Sequence, residues 1–290
     1  MRRWLLLLSL CFLLGINAYS FWVLHRSGGM PLTFAVTKHP PKPLLEVSDK
    51  ISVMTFNVAM QSQHFYKAWF FHGFFPYFIK EYLNQVASII REVKPDIVIL
   101  TEMPQEIIPF EDRLVAYLAD KSGMHNWTFN ENHDQFVGFV RYIGGNAILS
   151  RYPLQCNPQP PNALPSPLAT LNLPSGLVWV GGVHNDQKNW QVNLNQTTQI
   201  IGVLGNHPSI LAGSFNVPPE SPSIRFLEAS EMFSGEFHGP PTSPISDDPP
   251  VTLDYIFAPA TWSLLQHRVI ANKVSDHKAV LSVFKINPSH

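Results

Sequence analysis

The run Pro95-Asp96-Ile97-Val98-Ile99-Leu100-Thr101-Glu102 sets the reading of the chain: a proline and an acid, four apolar residues in succession, and a second acid at the end. Apolar residues without polar alternation suit a strand buried on both faces. Upstream, Phe78, Tyr82, Val86, Ile89, Ile90 and Val93 recur at helical spacing, predicting a helix over residues 77–93 that Pro95 follows. The same criteria predict further helices near 111–121 and 194–204. Further strands are expected at 51–56, 146–149, 177–183, 209–212, 251–257 and 279–284. Strands interleaved with helices argue for an α/β protein whose helices cover a central sheet. Three proline-rich stretches, 157–167, 217–222 and 239–250, read as stiff loops.

Polar residues repeatedly close these apolar runs. Asn57 follows Ile-Ser-Val-Met-Thr-Phe, Glu102 ends the quoted stretch, Asp254 follows Val-Thr-Leu, and Ser275-Asp276-His277 precede the last strand. Acidic and amide groups at the ends of neighbouring strands can converge on a metal ion or a phosphate. Seven segments then stand in order: Met54-Thr55-Phe56-Asn57, the Pro95–Glu102 run, Gly145-Asn146-Ala147-Ile148-Leu149-Ser150-Arg151-Tyr152-Pro153, Val183-His184, Ile210-Leu211-Ala212-Gly213-Ser214-Phe215-Asn216, Leu253-Asp254-Tyr255-Ile256-Phe257 and Ser275-Asp276-His277. Together they resemble the endonuclease/exonuclease/phosphatase superfamily, metal-dependent phosphoester hydrolases with a DNase I-like fold. Any one is weak alone; the ordered set covers nearly the whole of residues 48–290.

The resemblance implies a two-layered β-sandwich flanked by helices, with these residues at one rim. It also implies roles. Glu102 would be the principal ligand of a divalent cation, with Asn57 and Asp276 assisting directly or through water, and oxygen donors of this kind favour Mg²⁺ or Mn²⁺ over zinc. Asp254 would orient His277, whose imidazolium would hold a phosphoryl oxygen, while Asn216 and His184 would donate further hydrogen bonds. One position departs from the pattern. Where the family's GDFN segment carries an aspartate that aligns and deprotonates the attacking water, this chain has Ser214. A serine hydroxyl is no anionic base at neutral pH, and loss of general-base assistance removes roughly 10²- to 10⁴-fold of rate. The sequence leaves open a slowed hydrolase, one using another base such as His184 or a metal-bound hydroxide, and a phosphoester- or partner-binding relative without turnover.

The N-terminus carries Arg2 and Arg3 and then an apolar run from Trp4 to Leu24, long enough to span a bilayer as a helix. Residues 1–27 therefore read as a signal anchor or, with small residues at Ala18 and Ser20, a cleaved signal peptide. The positive charge ahead of the run places the remaining chain on the non-cytoplasmic side, anchored or exported. Residues 28–47, with prolines at 40, 41 and 43, read as a semi-rigid linker. Cys11 and Cys156 are the two cysteines, and no disulfide is expected between them. With 20 Lys+Arg against 21 Asp+Glu the formal charge is −1, so no global positive field favours nucleic acid. An aromatic insertion at residues 64–78 borders the expected site strand and suits a lipid headgroup or simple packing over the core. The expected partners are thus a phosphoester substrate, a lipid headgroup or small molecule ahead of nucleic acid, which a nuclease as the second alternative would take, and a membrane through the N-terminal helix. The sequence fixes no oligomeric state.

Overall fold

The computed structural model describes residues 34–37, 49–59, 75–108, 113–137, 140–156, 166–173, 175–243 and 249–287. In chain order these form β1 (Phe34–Thr37), β2 (Lys50–Asn57), α1 (Phe75–Val93), β3 (Ile97–Ile108), α2 (Leu114–Ser122), β4 (Asn126–Val137) and β5 (Val140–Ser150). There follow β6 (Leu154–Cys156), β7 (Leu168–Leu173), β8 (Gly176–His184), α3 (Trp190–Leu204), β9 (Ser209–Ser214), α4 (Pro222–Ala229) and β10 (Phe233–Gly235). The last three strands are β11 (Asp254–Pro259), β12 (Ser263–Ile270) and β13 (Ala279–Lys285). One sheet has the order β1-β4-β5-β3-β2-β13-β12 and the other β10-β11-β9-β8-β7-β6.

The absence of polar alternation in the central strands now has a physical reason. Along β2 and β3, Val53, Ile97 and Ile99 meet Val180, Ile210 and Ile256 of the opposite sheet. The intervening Met54, Val98 and Leu100 pack outward under Ile79, Leu83 and Val86 of α1. Both faces are therefore dry, and each large side chain so buried contributes roughly 1.5–3 kcal/mol. The second sheet repeats the device, with Val183, Leu211 and Phe257 beneath Ile200 and Leu204 of α3 and Ile224 and Leu227 of α4. The result is two packed sheets with helices outside, rather than the single central sheet that the alternation of elements alone suggested. It agrees with the two-layered sandwich that the family resemblance implied.

Strands β6, β7, β10 and β12 were also outside the expected set, and three further differences have a local cause. Residues 222–229, at the edge of a stretch read as loop, form α4, because the Ser221 hydroxyl caps Ile224 N–H at 3.4 Å and Pro222 occupies the first turn, where no N–H is needed. Strand β4 was not anticipated, since its Asn-Glu-Asn-His-Asp stretch carries no strand signal; pairing along the length of β5 holds it. Phe34-Ala35-Val36-Thr37, inside the segment read as linker, adds β1 to the sheet edge by pairing with β4. That tetrapeptide is proline-free and suits a strand; the prolines that governed the linker reading lie beyond it. The hydrophobic N-terminal helix of residues 1–27 lies outside the described residues, as does most of the aromatic insertion, of which 75–78 begin α1. Among the described residues no helix is long and apolar enough to cross a membrane.

Candidate active site

Strand ends from both sheets bring the motif residues together. Asn57 ends β2 opposite Thr101 of β3, and the ladder between β3 and β5 then jumps from Leu100 to Met103. Glu102 sits in that bulge with φ 55°, a conformation rare for a non-glycine residue. Bulges re-aim side chains, and such strain is characteristic of functional positions. The amide nitrogen of Asn57 donates to Glu102 Oε1 at 3.1 Å, and His184 Nε2 lies 3.5 Å from the same oxygen. Burial alone would raise the Glu102 pKa, but His184, by hydrogen bond and charge, then Asn57 and His277, hold it below the usual carboxylate value.

In the second sheet His184, Ser214 and Asp254 form one row, since Ser214 of β9 pairs with His184 of β8 on one side and Asp254 of β11 on the other. Gly213 permits this close approach: with φ 149°, any Cβ there would meet the Val183 carbonyl oxygen at 1.9 Å. Asp254 is fully buried, and its Oδ2 lies 3.0 Å from His277 Nδ1. Backbone N–H groups of Leu253 and Asp254 each donate to the Thr242 hydroxyl at 3.0 Å, fixing the carboxylate beneath the ring. Burial opposes charge on His277, yet Asp254, by charge and hydrogen bond, and then Asp276 and Glu102 raise its pKa to about 9. The ring is therefore an imidazolium at neutral pH, with Nδ1 committed to Asp254. Ser275 stitches this loop to the other sheet, donating to the Asn57 carbonyl at 2.8 Å and accepting His277 N–H at 3.1 Å.

Of the seven predicted residues, Asn57, Glu102 and His184 form one contact group and Asp254 and His277 another. The fields of Glu102 and Asp276 on His277 link the two groups. Asp276 is also joined to Ser275 at 3.4 Å. Asn216 lies a step aside: its amide donates to the Asn185 carbonyl at 2.8 Å, and its Oδ1 accepts the Ser214 hydroxyl at 3.0 Å. Asn57, expected to help hold the cation directly or through water, donates to Glu102 and accepts Ala59 N–H on its own oxygen at 2.8 Å. Ser214 is fully buried.

Among the described residues no three His, Cys, Asp or Glu side chains cluster as a ready-made metal centre. The donors still fit a hard cation. Glu102 and Asp276 are both carboxylates, both act on the Tyr82 hydroxyl and on His277, and Mg²⁺ retains water in the remaining positions.

Two supporting residues escaped the sequence reading. Tyr82 of α1 donates to the Val58 carbonyl, and burial, then the charges of Asp276 and Glu102, push its pKa up. It was counted among the apolar positions of its helix because a phenol satisfies the helical period as well as a leucine does. Asn193 of α3 is fully buried and donates at 2.7 Å to both the Asp186 and Phe215 carbonyls, while its oxygen accepts the Ser223 hydroxyl at 2.7 Å. An asparagine on a helix face shared with Thr197, Ile200 and Leu204 was the available signal.

The family model described as Endonuclease/Exonuclease/phosphatase family matches residues 54–277. No curated protein sequence matches the chain. Among solved structures, an endonuclease/exonuclease/phosphatase from Beutenbergia cavernae DSM 12333 is 19% identical with a TM-score of 0.58, over 81% of this chain and 71% of that one. A family protein from Leptotrichia buccalis C-1013-b gives 17% identity and a TM-score of 0.57, over 80% and 98% of the two chains. D. rerio TDP2 complexed with a single-strand DNA product gives 15% and 0.56, over 82% and 99%. These likenesses concern the fold, and the matched family model spans every motif at the rim; the chain belongs to the endonuclease/exonuclease/phosphatase family.

Proposed function

We propose that this protein is a divalent-metal-dependent phosphodiesterase or phosphatase, slowed by Ser214 and tethered to a membrane. Family membership supports a hydrolase of the phosphoesterase or nuclease type. The observation that carries the finer reading is the buried Asp254–His277 pair at 3.0 Å, within the field of an ionised Glu102. An imidazole protonated at neutral pH beside carboxylates suits a substrate whose phosphoryl oxygens gain negative charge in the transition state. His277 would donate to one such oxygen, and the second amide hydrogen of Asn216 to another. A cation, Mg²⁺ or Mn²⁺, held by Glu102 and Asp276 would supply positive charge to the phosphate. In the absence of the family's aspartate, His184, next to Ser214 in the strand row, would in its neutral form serve as the base that accepts a proton from water.

Ser214 also supports a rival reading, a phosphoester-binding protein without turnover, because its buried hydroxyl is spent on Asn216. The substrate favoured is a lipid headgroup or small phosphodiester: the formal charge of −1 offers no field for a polyanion, and the apolar run from Trp4 to Leu24 supports membrane attachment with the domain on the non-cytoplasmic side. The test is hydrolysis by the full chain of bis(4-nitrophenyl) phosphate, a vesicle-borne phosphodiester and single-stranded DNA, with Mg²⁺ or Mn²⁺ and with EDTA. Metal-dependent turnover that His277→Ala lowers at least about 10²-fold is expected. Metal binding without turnover on any substrate establishes the rival, and a preference for DNA overturns the substrate assignment.

A further inference from the structure

Strand β1 fixes where the N-terminal part of the chain leaves the domain. Phe34 pairs with Phe129, Phe129 with Ala147, Ala147 with Leu100 and Leu100 with Phe56, so Phe34 stands in one row across the sheet, a single step below Asn57. From there β1 runs away from the site, since Thr37 pairs with Asn126, which pairs with Ser150 opposite Ile97 at the far end. Phe34, the first residue of β1, therefore stands at the site end. Four strand spacings, roughly 19 Å, separate β1 from β2. Residues 25–33 span no more than roughly 30 Å even when fully extended. A bilayer holding the run Trp4–Leu24 is thereby kept close to the end that carries Glu102 and His277.

That end also presents aromatic surface. Trp190 is 57% exposed and is the first residue of α3, which begins just after the loop leaving His184. Phe78 is 51% exposed and stands in the first turn of α1, in the outer layer on the other side of the sandwich. Both helices start at the site end, because α1 leads down to the start of β3 and α3 to the start of β9. An exposed indole is the side chain best matched to a headgroup layer, apolar in its body and a hydrogen-bond donor at its edge. We propose that this end of the domain docks on a lipid bilayer with Trp190 as a rim anchor, so that the site meets phosphoesters at the membrane surface. The proposal rests on the reading of residues 4–24 as membrane-embedded and goes beyond it by assigning which face looks at the lipid.

The test uses the full chain in phosphatidylcholine–phosphatidylglycerol vesicles containing tritiated phosphatidylcholine, with p-benzoylphenylalanine in place of either Trp190 or Leu177. Leu177 is 46% exposed but stands at the opposite end, at the start of β8. Light-dependent lipid labelling at 190 well above that at 177 is expected; equal or reversed labelling overturns the proposal, as does release of the unmodified chain by alkaline carbonate. In a second arm, Trp190→Ser lowers turnover of a vesicle-borne phosphodiester about tenfold, the scale of losing one interfacial aromatic contact. Turnover of soluble bis(4-nitrophenyl) phosphate stays unchanged. Loss of both turnovers together, or of neither, counts against docking. Labelling at 190 without turnover of either substrate sustains the docking face and sinks the hydrolase reading, so the two failures are separable.

Discussion

His277 and Ser214 stand at the same rim and are tuned in opposite senses. His277 is locked by Asp254 in its charged form, whereas Ser214 replaces a charge with a neutral hydroxyl bound to Asn216. Linkage makes the first of these measurable. A pKa raised from 6.5 to about 9 stabilises the fold fully below 6.5, and that contribution is lost as pH rises through about 9. In EDTA, urea denaturation of wild type and His277→Asn should differ most near the lower of those values, by about 3 kcal/mol at most, and converge above the higher one. A gap constant with pH contradicts the assignment. At this scale the site was largely legible: Asn57, Glu102, His184, Asp254 and His277 converge as their motifs implied. The orientation of the Asn57 amide was not legible, because which end faces a carboxylate depends on the neighbouring Ala59 N–H, which no motif encodes.

Elements carry the site through polar anchors as much as through apolar burial. Asn193 of α3 holds the loops after β8 and β9 through two carbonyls and reaches α4 through Ser223. Thr197, one turn on, accepts from the Asn185 side chain at 2.9 Å, and the Asn185 carbonyl in turn positions Asn216. Asn193→Leu leaves buried carbonyls and a hydroxyl without a donor or acceptor and should destabilise the domain by about 2–4 kcal/mol. Denaturant midpoints will show this, and a change under 1 kcal/mol, roughly the scale of a tolerated surface substitution, contradicts it. Gly213→Ala should be worse, since the new methyl meets backbone oxygen at 1.9 Å; soluble protein at wild-type yield would refute that. The three long helices and seven core strands were readable because apolar period and turn residues agree there. Strand β4 and helix α4 were hidden because their stability comes from pairing along β5 and from the Ser221 cap, not from composition.

At the scale of the whole molecule, two sheets meet so that their strand ends pool residues from 57 to 277 at one rim. The two-sheet packing was inferable only through the family resemblance, since buried runs look alike whether one sheet or two surround them. In the proposed reaction an ion, an oriented imidazolium and a route for the proton of water would act together, and Ser214 would weaken the last alone. The most direct measurement of the account is therefore Mg²⁺-dependent turnover of bis(4-nitrophenyl) phosphate by the full chain, wild type against Ser214→Asp, with metal affinity followed by calorimetry in both. Measurable wild-type turnover is expected, with a gain of at least about tenfold in kcat for Ser214→Asp, toward the roughly 10²- to 10⁴-fold that a general base supplies. Folded, metal-binding Ser214→Asp protein with no gain over wild type contradicts it.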